Sequence, residues 1–308
     1  MILCAGEALI DMLPRTTTDG GDAFWPVAGG AVFNTAIALG RLGAPAGMLT
    51  GLSTDFFGDI LTATLDASHV DHALAVRADR PTTLAFVRLV DGHASYAFYD
   101  EGTAGRMLTA DDLPDLPDHV EAVFFGGISL MADPCGTAYE ALMRRAKDAG
   151  RVTMIDPNIR PSFIRDVAAY REKIARMIAM ADIVKLSDED LAWFGGTGTP
   201  AEQVAAMRAT GPSLVCITEG AQGVTGHTAS GEVFVAAEKA TVVDTVGAGD
   251  TFNAGVLASL HAAGHLTADR IRDLPEDVVR DALSLGARAA AVTVSRAGAN
   301  PPWAADLG

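Results

Sequence analysis

The sequence predicts an α/β fold of three layers, α/β/α, with a mostly parallel central sheet between helices and a small β lid beside it. Three observations carry this. From about residue 120, short apolar strands alternate with helix-length periodic stretches; an earlier segment switches to period-two alternation; and near the end a glycine-rich turn feeds an apolar helix.

Residues 2–5 read as a first strand, whose end carries Gly6, Glu7 and, four residues on, Asp11. A polar, glycine-containing stretch leads to Gly29-Gly30 and a helix through about Arg41, stopped by Gly43. Within about 73–105, Thr82 to Val90, then Asp91-Gly92, then Ser95 to Tyr99 read as a hairpin; this segment and about 12–28 are assigned to the lid. Val123 to Phe125, Val152 to Ile155, Ile183 to Leu186 and Leu214 to Ile217 are short apolar strands, as expected where helices cover both faces. Helical stretches fall near 137–149, 168–180 and 188–209, the last interrupted around Gly195, Gly198 and Pro200. Residues 223–237 make a second hairpin around Ser230-Gly231, and the β-branched run Thr241 to Val243 reads as a strand entering the glycine-rich turn. A helix over about 277–291 precedes Val292-Thr293-Val294 and a loose C-terminus, and residues 1–308 are expected to form one domain.

A chain of 308 residues, 49% of them hydrophobic, can bury one large core. Lys+Arg 23 against Asp+Glu 39 gives a formal net charge of -16, which disfavours nucleic acid and anionic membrane as partners. A nucleotide stays admissible, because Mg²⁺ and local N–H groups offset the repulsion. Cys4, Cys135 and Cys216 are dispersed, as expected of free thiols in a reducing cytoplasm. The opening residues lack a basic n-region and reach Glu7 too early for a signal peptide, and no apolar run has the length of a membrane span. A cytoplasmic protein is expected.

In open α/β sheets, ligands collect beyond the carboxyl ends of the strands. Three polar clusters fall at such ends: Asp156 to Arg160, Lys185 to Asp190, and the turn Asp244-Thr245-Val246-Gly247-Ala248-Gly249-Asp250. With Asp11, Gly30 and Asn34 they would line one cleft sheltered by the early hairpin. In the turn, Gly247 and Gly249 let the backbone approach a ligand without Cβ obstruction, so that N–H groups point at one oxyanion beside a helix N-terminus. A helix cap alone needs one carboxylate and one glycine, whereas these seven residues hold two of each. The N–H groups are therefore expected to hold a transferring phosphoryl group while Asp250 accepts the proton of the attacking hydroxyl. Other chemistries lack their motifs. None of the lysines, Lys147, Lys173, Lys185 and Lys239, stands in a P-loop; Gly6 lacks the partners of a dinucleotide fingerprint; His and Cys show no metal-ligand spacing; and there is no nucleophile elbow.

Gly29-Gly30-Ala31-Val32-Phe33-Asn34-Thr35-Ala36 and Asp244 to Phe252 stand as two full signatures. On them the chain resembles the ribokinase-like, or PfkB, carbohydrate kinases from Gly6 to about Pro301. The resemblance implies an ATP-dependent sugar kinase with Asp250 as base and Gly247, Ala248 and Gly249 as anion hole. It implies sugar contacts at Asp11, Gly29, Gly30 and Asn34, with Arg88, Tyr99 and Asn158 as further candidates. Arg160 in Asp-Pro-Asn-x-Arg resembles the arginine that fructokinases and 2-keto-3-deoxygluconate kinases place near the sugar or the transferred phosphoryl. Taken alone, Asn34 also fits a helix N-cap and Arg160 a surface arginine.

Toward the nucleotide the resemblance implies Lys185, Ser187, Thr218, Gly220, Gly223, Gly247 and Gly249, with Val242, Ala287 and Asn300 near adenine and ribose. Ser187 and Asp190 replace the family's amide and glutamate. Asp190 is thus a candidate for organising Mg²⁺ indirectly, and a capping arrangement fits the same pair equally well. A K⁺ site in relatives implies the Asp244 carboxylate and carbonyls near Val246 and Val294, although Pro302 stands where a serine ligand is usual.

The opening Gly-Glu-Ala-Leu-Ile-Asp-Met-Leu-Pro, Arg80 to Ala85 and Asp156 to Arg160 are more similar to fructokinases than to ribokinases. This implies fructose, phosphorylated at its 6-hydroxyl. The alternatives are 2-keto-3-deoxygluconate, ribose or a nucleoside, and, in another class, a non-catalytic sugar-binding regulator. Where fructokinases often continue the hairpin as Phe-Tyr-Arg and then Ala-Asp, this chain has Phe98-Tyr99-Asp100-Glu101-Gly102 and then Ala104-Gly105-Arg106. The two added acids weigh against a sugar phosphate or sugar acid unless Arg88, Arg106 and Arg160 compensate. The alternating lid residues fit either a lid covering a partner's lid in a homodimer or a lid within one chain.

Overall fold

The computed structural model describes residues 1–90 and 93–308, with the backbone alone over 87–90 and 93–96. The Asp91-Gly92 turn lies outside the described residues. The chain begins the central sheet with β1 (Ile2–Ala5), leaves it through the hairpin β2 (Leu9–Thr16) and β3 (Asp22–Gly29), and returns along α1 (Ala31–Arg41) to β4 (Ala46–Leu49). Next come β5 (Gly51–Ser53), α2 (Phe56–Ala67), β6 (Val70–Asp71), β7 (Val76–Ala78), β8 (Leu84–Val90) and β9 (His93–Tyr99). The rest runs β10 (Ala122–Gly126), α3 (Cys135–Asp148), β11 (Val152–Asp156), α4 (Val167–Met180), β12 (Ile183–Ser187), α5 (Asp188–Phe194), α6 (Pro200–Arg208) and β13 (Leu214–Thr218). It closes with β14 (Gly223–Thr228), β15 (Gly231–Ala236), α7 (Ala248–Ala262) and α8 (Glu276–Val294).

The central sheet has the order β15-β14-β13-β12-β11-β10-β1-β4-β6 and is parallel up to β13, with β14 and β15 antiparallel at one edge. Its interior parallel strands are mostly apolar because both faces are covered, whereas the edge hairpin β14-β15 carries His227 and Glu232 and is partly exposed. In β1, Ile2 and Cys4 join the core under α1, α2, α7 and α8, while Leu3 and Ala5 join the core under α3 to α6. All three cysteines are buried free thiols. The chain builds β4 and β6 on one side of β1 and β10 to β15 on the other, so the strand order reverses at β1. That switch point is where open α/β sheets hold ligands. A second sheet, β3-β2-β8-β9, forms the lid.

The predicted elements beyond residue 120 match the observed ones within a few residues, and the expected break in 188–209 separates α5 from α6 at Gly195, with φ +62°. Two expectations are corrected. Thr241 to Val243 forms no strand: the sheet edge ends at β15, and these residues are exposed coil. Val292-Thr293-Val294 continues α8, because Thr293 is buried against α7, with its hydroxyl donating to Ala289 O at 3.1 Å and sharing a hydrogen bond with the Thr251 hydroxyl at 3.0 Å. Among the described residues no helix is long and apolar enough to cross a membrane.

Candidate active site

A cleft of about 1090 Å³ opens beyond the carboxyl ends of β1, β10, β11 and β12, with lid residues Leu9, Asp11 and Phe98 along one side. At its floor stands the N-terminus of α7. Gly247 adopts φ +79°, and a Cβ there would also lie 2.7 Å from that of Ala299, so glycine is required twice over. Among the described residues the N–H groups of Gly247, Gly249 and Asp250 meet no acceptor, and that of Ala248 reaches only Thr245 O at 3.4 Å. Unpartnered amides on one helix end form an anion site.

Asp250 is buried in the first turn of α7 and accepts a hydrogen bond from Asn34 Nδ2 at 2.9 Å. Burial pushes its pKa up to about 7; the Asn34 hydrogen bond and Lys185 oppose that shift, while Asp156 and Glu7 add to it. Asn34 is not an N-cap. Gly30 caps α1 with φ +107°, and the Asn34 N–H donates to Gly30 O at 2.8 Å. The α1 terminus is instead braced by Glu7, whose Oε1 accepts from the Ala31 N–H at 3.0 Å and whose Oε2 accepts from the Ser129 N–H at 3.2 Å. Gly29 leaves room for Asp11: a Cβ there would lie 2.3 Å from Asp11 Oδ2. Burial raises the Asp11 pKa to about 6, and no protein group among the described residues donates to its carboxylate.

On the other wall, Asp156 ends β11 and bridges Lys185 Nζ, at 3.1 Å, and Asn253 Nδ2, at 2.7 Å, through one oxygen. Asn158, at φ +43°, donates its N–H to the other oxygen at 3.1 Å. Arg160 also lines the cleft, exposed, donating only to Ile159 O at 3.0 Å, with no carboxylate partner among the described residues. Ser187 and Asp190 form a capping box on α5. The Asp190 oxygens accept from the N–H groups of Ser187 at 3.2 Å and Ile159 at 2.9 Å, so both are committed to backbone. That occupation favours capping over metal organisation.

Thr218 ends β13, and Gly220 (φ +53°) and Gly223 (φ +133°) shape the turn into β14. Val242 stands 63% exposed on the coil before the anion site, and Ala287 is half-buried on α8. Asn300 lies outside this cleft lining, as do Thr218, Gly220, Gly223, Val242 and Ala287; its side-chain oxygen accepts from Arg41 Nη1 at 2.8 Å, tying the C-terminal segment to the end of α1. At the expected cation site, the Asp244 oxygens accept from the N–H groups of Val246 at 3.0 Å and Gly298 at 2.9 Å. Val294 O already accepts from Val243 at 2.8 Å and Asp244 at 3.2 Å, so both its lone pairs are in use.

In the lid, Phe98 rather than Tyr99 lines the cleft. The pairings Asp11↔Ala85 and Ala85↔Phe98 put Phe98 on the cleft face, so by strand alternation Tyr99 faces away, meeting Phe86 edge-on at 5.4 Å. The Arg88 side chain lies outside the described residues. Asp100 is neutralised by Arg106 at 2.5 Å, and exposed Glu101 faces Arg165 at 3.4 Å, so the added lid acids carry their own counterions. Sequence reasoning left Glu7, Asn253 and Phe98 without a role, and named Asp156 only within a strand-end cluster and Arg106 only as a compensating charge. Asp156 and Glu7 had a usable signal, their place at strand ends; Asn253 had none beyond standing inside an apolar helix. No group of three or more His, Cys, Asp or Glu among the described residues could hold a metal, and Asp156 and Asp190 are already engaged at both oxygens. The donor set fits a divalent ion carried by phosphate oxygens and water.

A model described as the pfkB family carbohydrate kinase matches residues 1–306. A fructokinase of Rhizobium leguminosarum bv. trifolii is 56% identical over 281 residues, covering 91% of this chain and 86% of that protein. The crystal structure of a fructokinase from Xylella fastidiosa with bound ATP superposes with a TM-score of 0.89 at 29% identity, covering 99% of this chain and 97% of that one. A fructokinase double mutant from Vibrio cholerae O395, bound to fructose, ADP and a potassium ion, gives 0.84 at 25% identity, covering 97% and 93%. With its phosphoryl-transfer geometry and this match along nearly its whole length, the chain belongs to the pfkB family of carbohydrate kinases and is an ATP-dependent sugar kinase.

Proposed function

We propose that this kinase transfers the γ-phosphoryl group of ATP to the 6-hydroxyl of D-fructose. The observation that carries the chemistry is Asp250, a buried carboxylate with pKa near 7 standing beside unpartnered amides. The 56% identity to a fructokinase supports the choice of sugar. Asp11, unpartnered, accepts sugar hydroxyls over Gly29 and Gly30, and Asn34 holds Asp250 toward the hydroxyl that reacts. As the hydroxyl oxygen bonds to the γ-phosphorus, the bond to the β-phosphate oxygen breaks, Asp250 takes the hydroxyl proton and ADP leaves. The amides of Gly247, Gly249 and Asp250 hold the phosphoryl oxygens throughout. A magnesium ion bound to ATP would supply charge neutralisation at those oxygens.

Thr218, Gly220 and Gly223 are read as the ribose and phosphate side, and Val242 and Ala287 as the apolar bed of the base. A potassium ion is read at Asp244 and the Val246 carbonyl. Residues 1–308 are read as one kinase unit acting in the cytoplasm, with the lid as the face for a second copy. A second substrate, 2-keto-3-deoxygluconate, is favoured by one observation: the Arg160 guanidinium lines the cleft with no carboxylate partner among the described residues. An ATP-coupled assay over fructose, ribose, 2-keto-3-deoxygluconate and nucleosides tests both readings. Fructose should give the highest kcat/KM, with fructose 6-phosphate as product. Strong turnover of 2-keto-3-deoxygluconate beside none of fructose would replace the sugar and leave the kinase assignment standing.

A further inference from the structure

We propose that Asp156 and Asn253 form a positioning pair that holds the Lys185 ammonium against the anion site, as an added donor to the transferred phosphoryl group. The inference rests on the phosphoryl-transfer reading of the same site. Three elements meet here: Lys185 comes from β12, Asp156 ends β11, and Asn253 stands in α7 one turn beyond the amides. All three are buried, at 5%, 2% and 1% exposure. One oxygen of Asp156 takes both Lys185 Nζ at 3.1 Å and Asn253 Nδ2 at 2.7 Å, while its other oxygen takes the Asn158 N–H at 3.1 Å. Fixed at both oxygens, the carboxylate cannot turn, and the ammonium is fixed with it.

A buried ion pair is weak evidence of stability, because desolvation offsets much of its attraction. Among the described residues Asn253 Oδ1 is buried with no protein partner, an arrangement that a purely structural cluster does not require. What the cluster achieves is aim. A Cβ on Gly249 would lie 3.2 Å from Lys185 Nζ, so the ammonium sits against the first turn of α7, beside the unpartnered amides. An ammonium carries three donors, and among the described residues Asp156 is the only acceptor for them. The remaining two are left for an oxyanion at the helix end. Burial pushes the Lys185 pKa down, but Asp156, Asp190 and Asp250 more than offset it, and the net shift is upward. The charge is therefore present at neutral pH.

Each residue removes something different. K185M deletes the charge, and kcat should fall about 10²-fold with KM for sugar within about threefold, the pattern of a group that acts in the transition state. K185R should recover part of that loss. N253A leaves every charge in place and loosens the brace, so kcat should fall with little change in either KM. The groups facing Asp250 are Asn34 from α1, Asp156 from β11, Lys185 from β12, Glu7 beyond β1, and Asp11 from the lid across the cleft. Lys185 lowers the Asp250 pKa and Asp156 raises it. The acid limb of kcat/KM should therefore move to higher pH in K185M, to lower pH in D156N, and stay in place in N253A. Circular dichroism and thermal unfolding on each variant establish the folded fraction, and the two charge variants carry the test if N253A unfolds. Wild-type kcat in folded K185M, or limbs moving together in K185M and D156N, would overturn the proposal. D250A reads the phosphoryl-transfer assignment separately: near-normal turnover there rejects Asp250 as base and says nothing in favour of the cluster.

Discussion

Asp250 has to be buried for its basicity and charged for its chemistry, and those demands conflict. Its pKa, raised from 3.8 to about 7, makes the carboxylate a base matched to neutral pH. Sugar kinase activity should therefore fall about tenfold per unit as pH drops below about 7, and more steeply below about 6, where Asp11 also protonates. The same shift is a stability statement of opposite sign. A carboxyl whose pKa is raised on folding stabilises the native state below its unfolded pKa, and that contribution is lost as pH rises toward the folded pKa. At pH 8 the ionised Asp250 thus destabilises the fold by on the order of 4 kcal/mol. D250N, which keeps an acceptor for Asn34, should unfold at a higher temperature than the wild type at pH 8, with the difference closing near pH 4. Its kcat should be lower by about 10²–10⁴-fold. Equal unfolding temperatures at pH 8 would show that the carboxylate is solvated in the native state.

At the scale of elements, the turn into α7 separates two glycines that look alike in sequence. Gly247 sits at φ +79° and faces Ala299, so G247A meets left-handed strain and a steric contact together. It should lose about 1 to 2 kcal/mol of stability in denaturant unfolding, as well as activity. Gly249 has no positive φ, and its added Cβ would meet only the flexible end of Lys185 at 3.2 Å. G249A should keep nearly the wild-type midpoint and lose kcat, because it displaces the ammonium rather than the helix; a matching loss of stability would contradict that. This local glycine requirement is why the turn is legible in sequence to the residue. The parity of Phe98 and Tyr99 is not, because it depends on the β2–β8–β9 register, which a one-residue slip would invert. Asn253 is hidden for another reason: its role exists only once β11 and β12 deliver Asp156 and Lys185 beside it.

For the whole molecule, the same distinction explains which parts of the fold can be read in advance. The parallel strands are buried on both faces, so each appears as an apolar run wherever it lies in the chain. The segment from Gly43 to residue 73 carries no sequence assignment, yet holds β4, β5, α2 and β6, with two strand residues in β6 too few to show a period. How the lid meets the body is equally invisible, since the contacts join distant segments: Phe98 packs edge-on against Phe163 at 4.3 Å, and Arg106 links Asp100 to the Asp133 carbonyl at 2.8 Å. Closure of this lid over bound sugar is expected to keep water, a competing acceptor, away from the phosphoryl group. R106A breaks the pair with Asp100 and the bond to Asp133 while leaving the anion site intact. It should raise KM for sugar by roughly tenfold through looser positioning, with kcat at saturating sugar changed far less. The sharper measurement is coupling. In the wild type, ADP and sugar phosphate should form one for one; in R106A and F98A, ADP should exceed sugar phosphate as ATP is hydrolysed. A ratio that stays at one in both variants, with KM unchanged, would mean that the lid closes without these contacts and that water is excluded by the sugar itself.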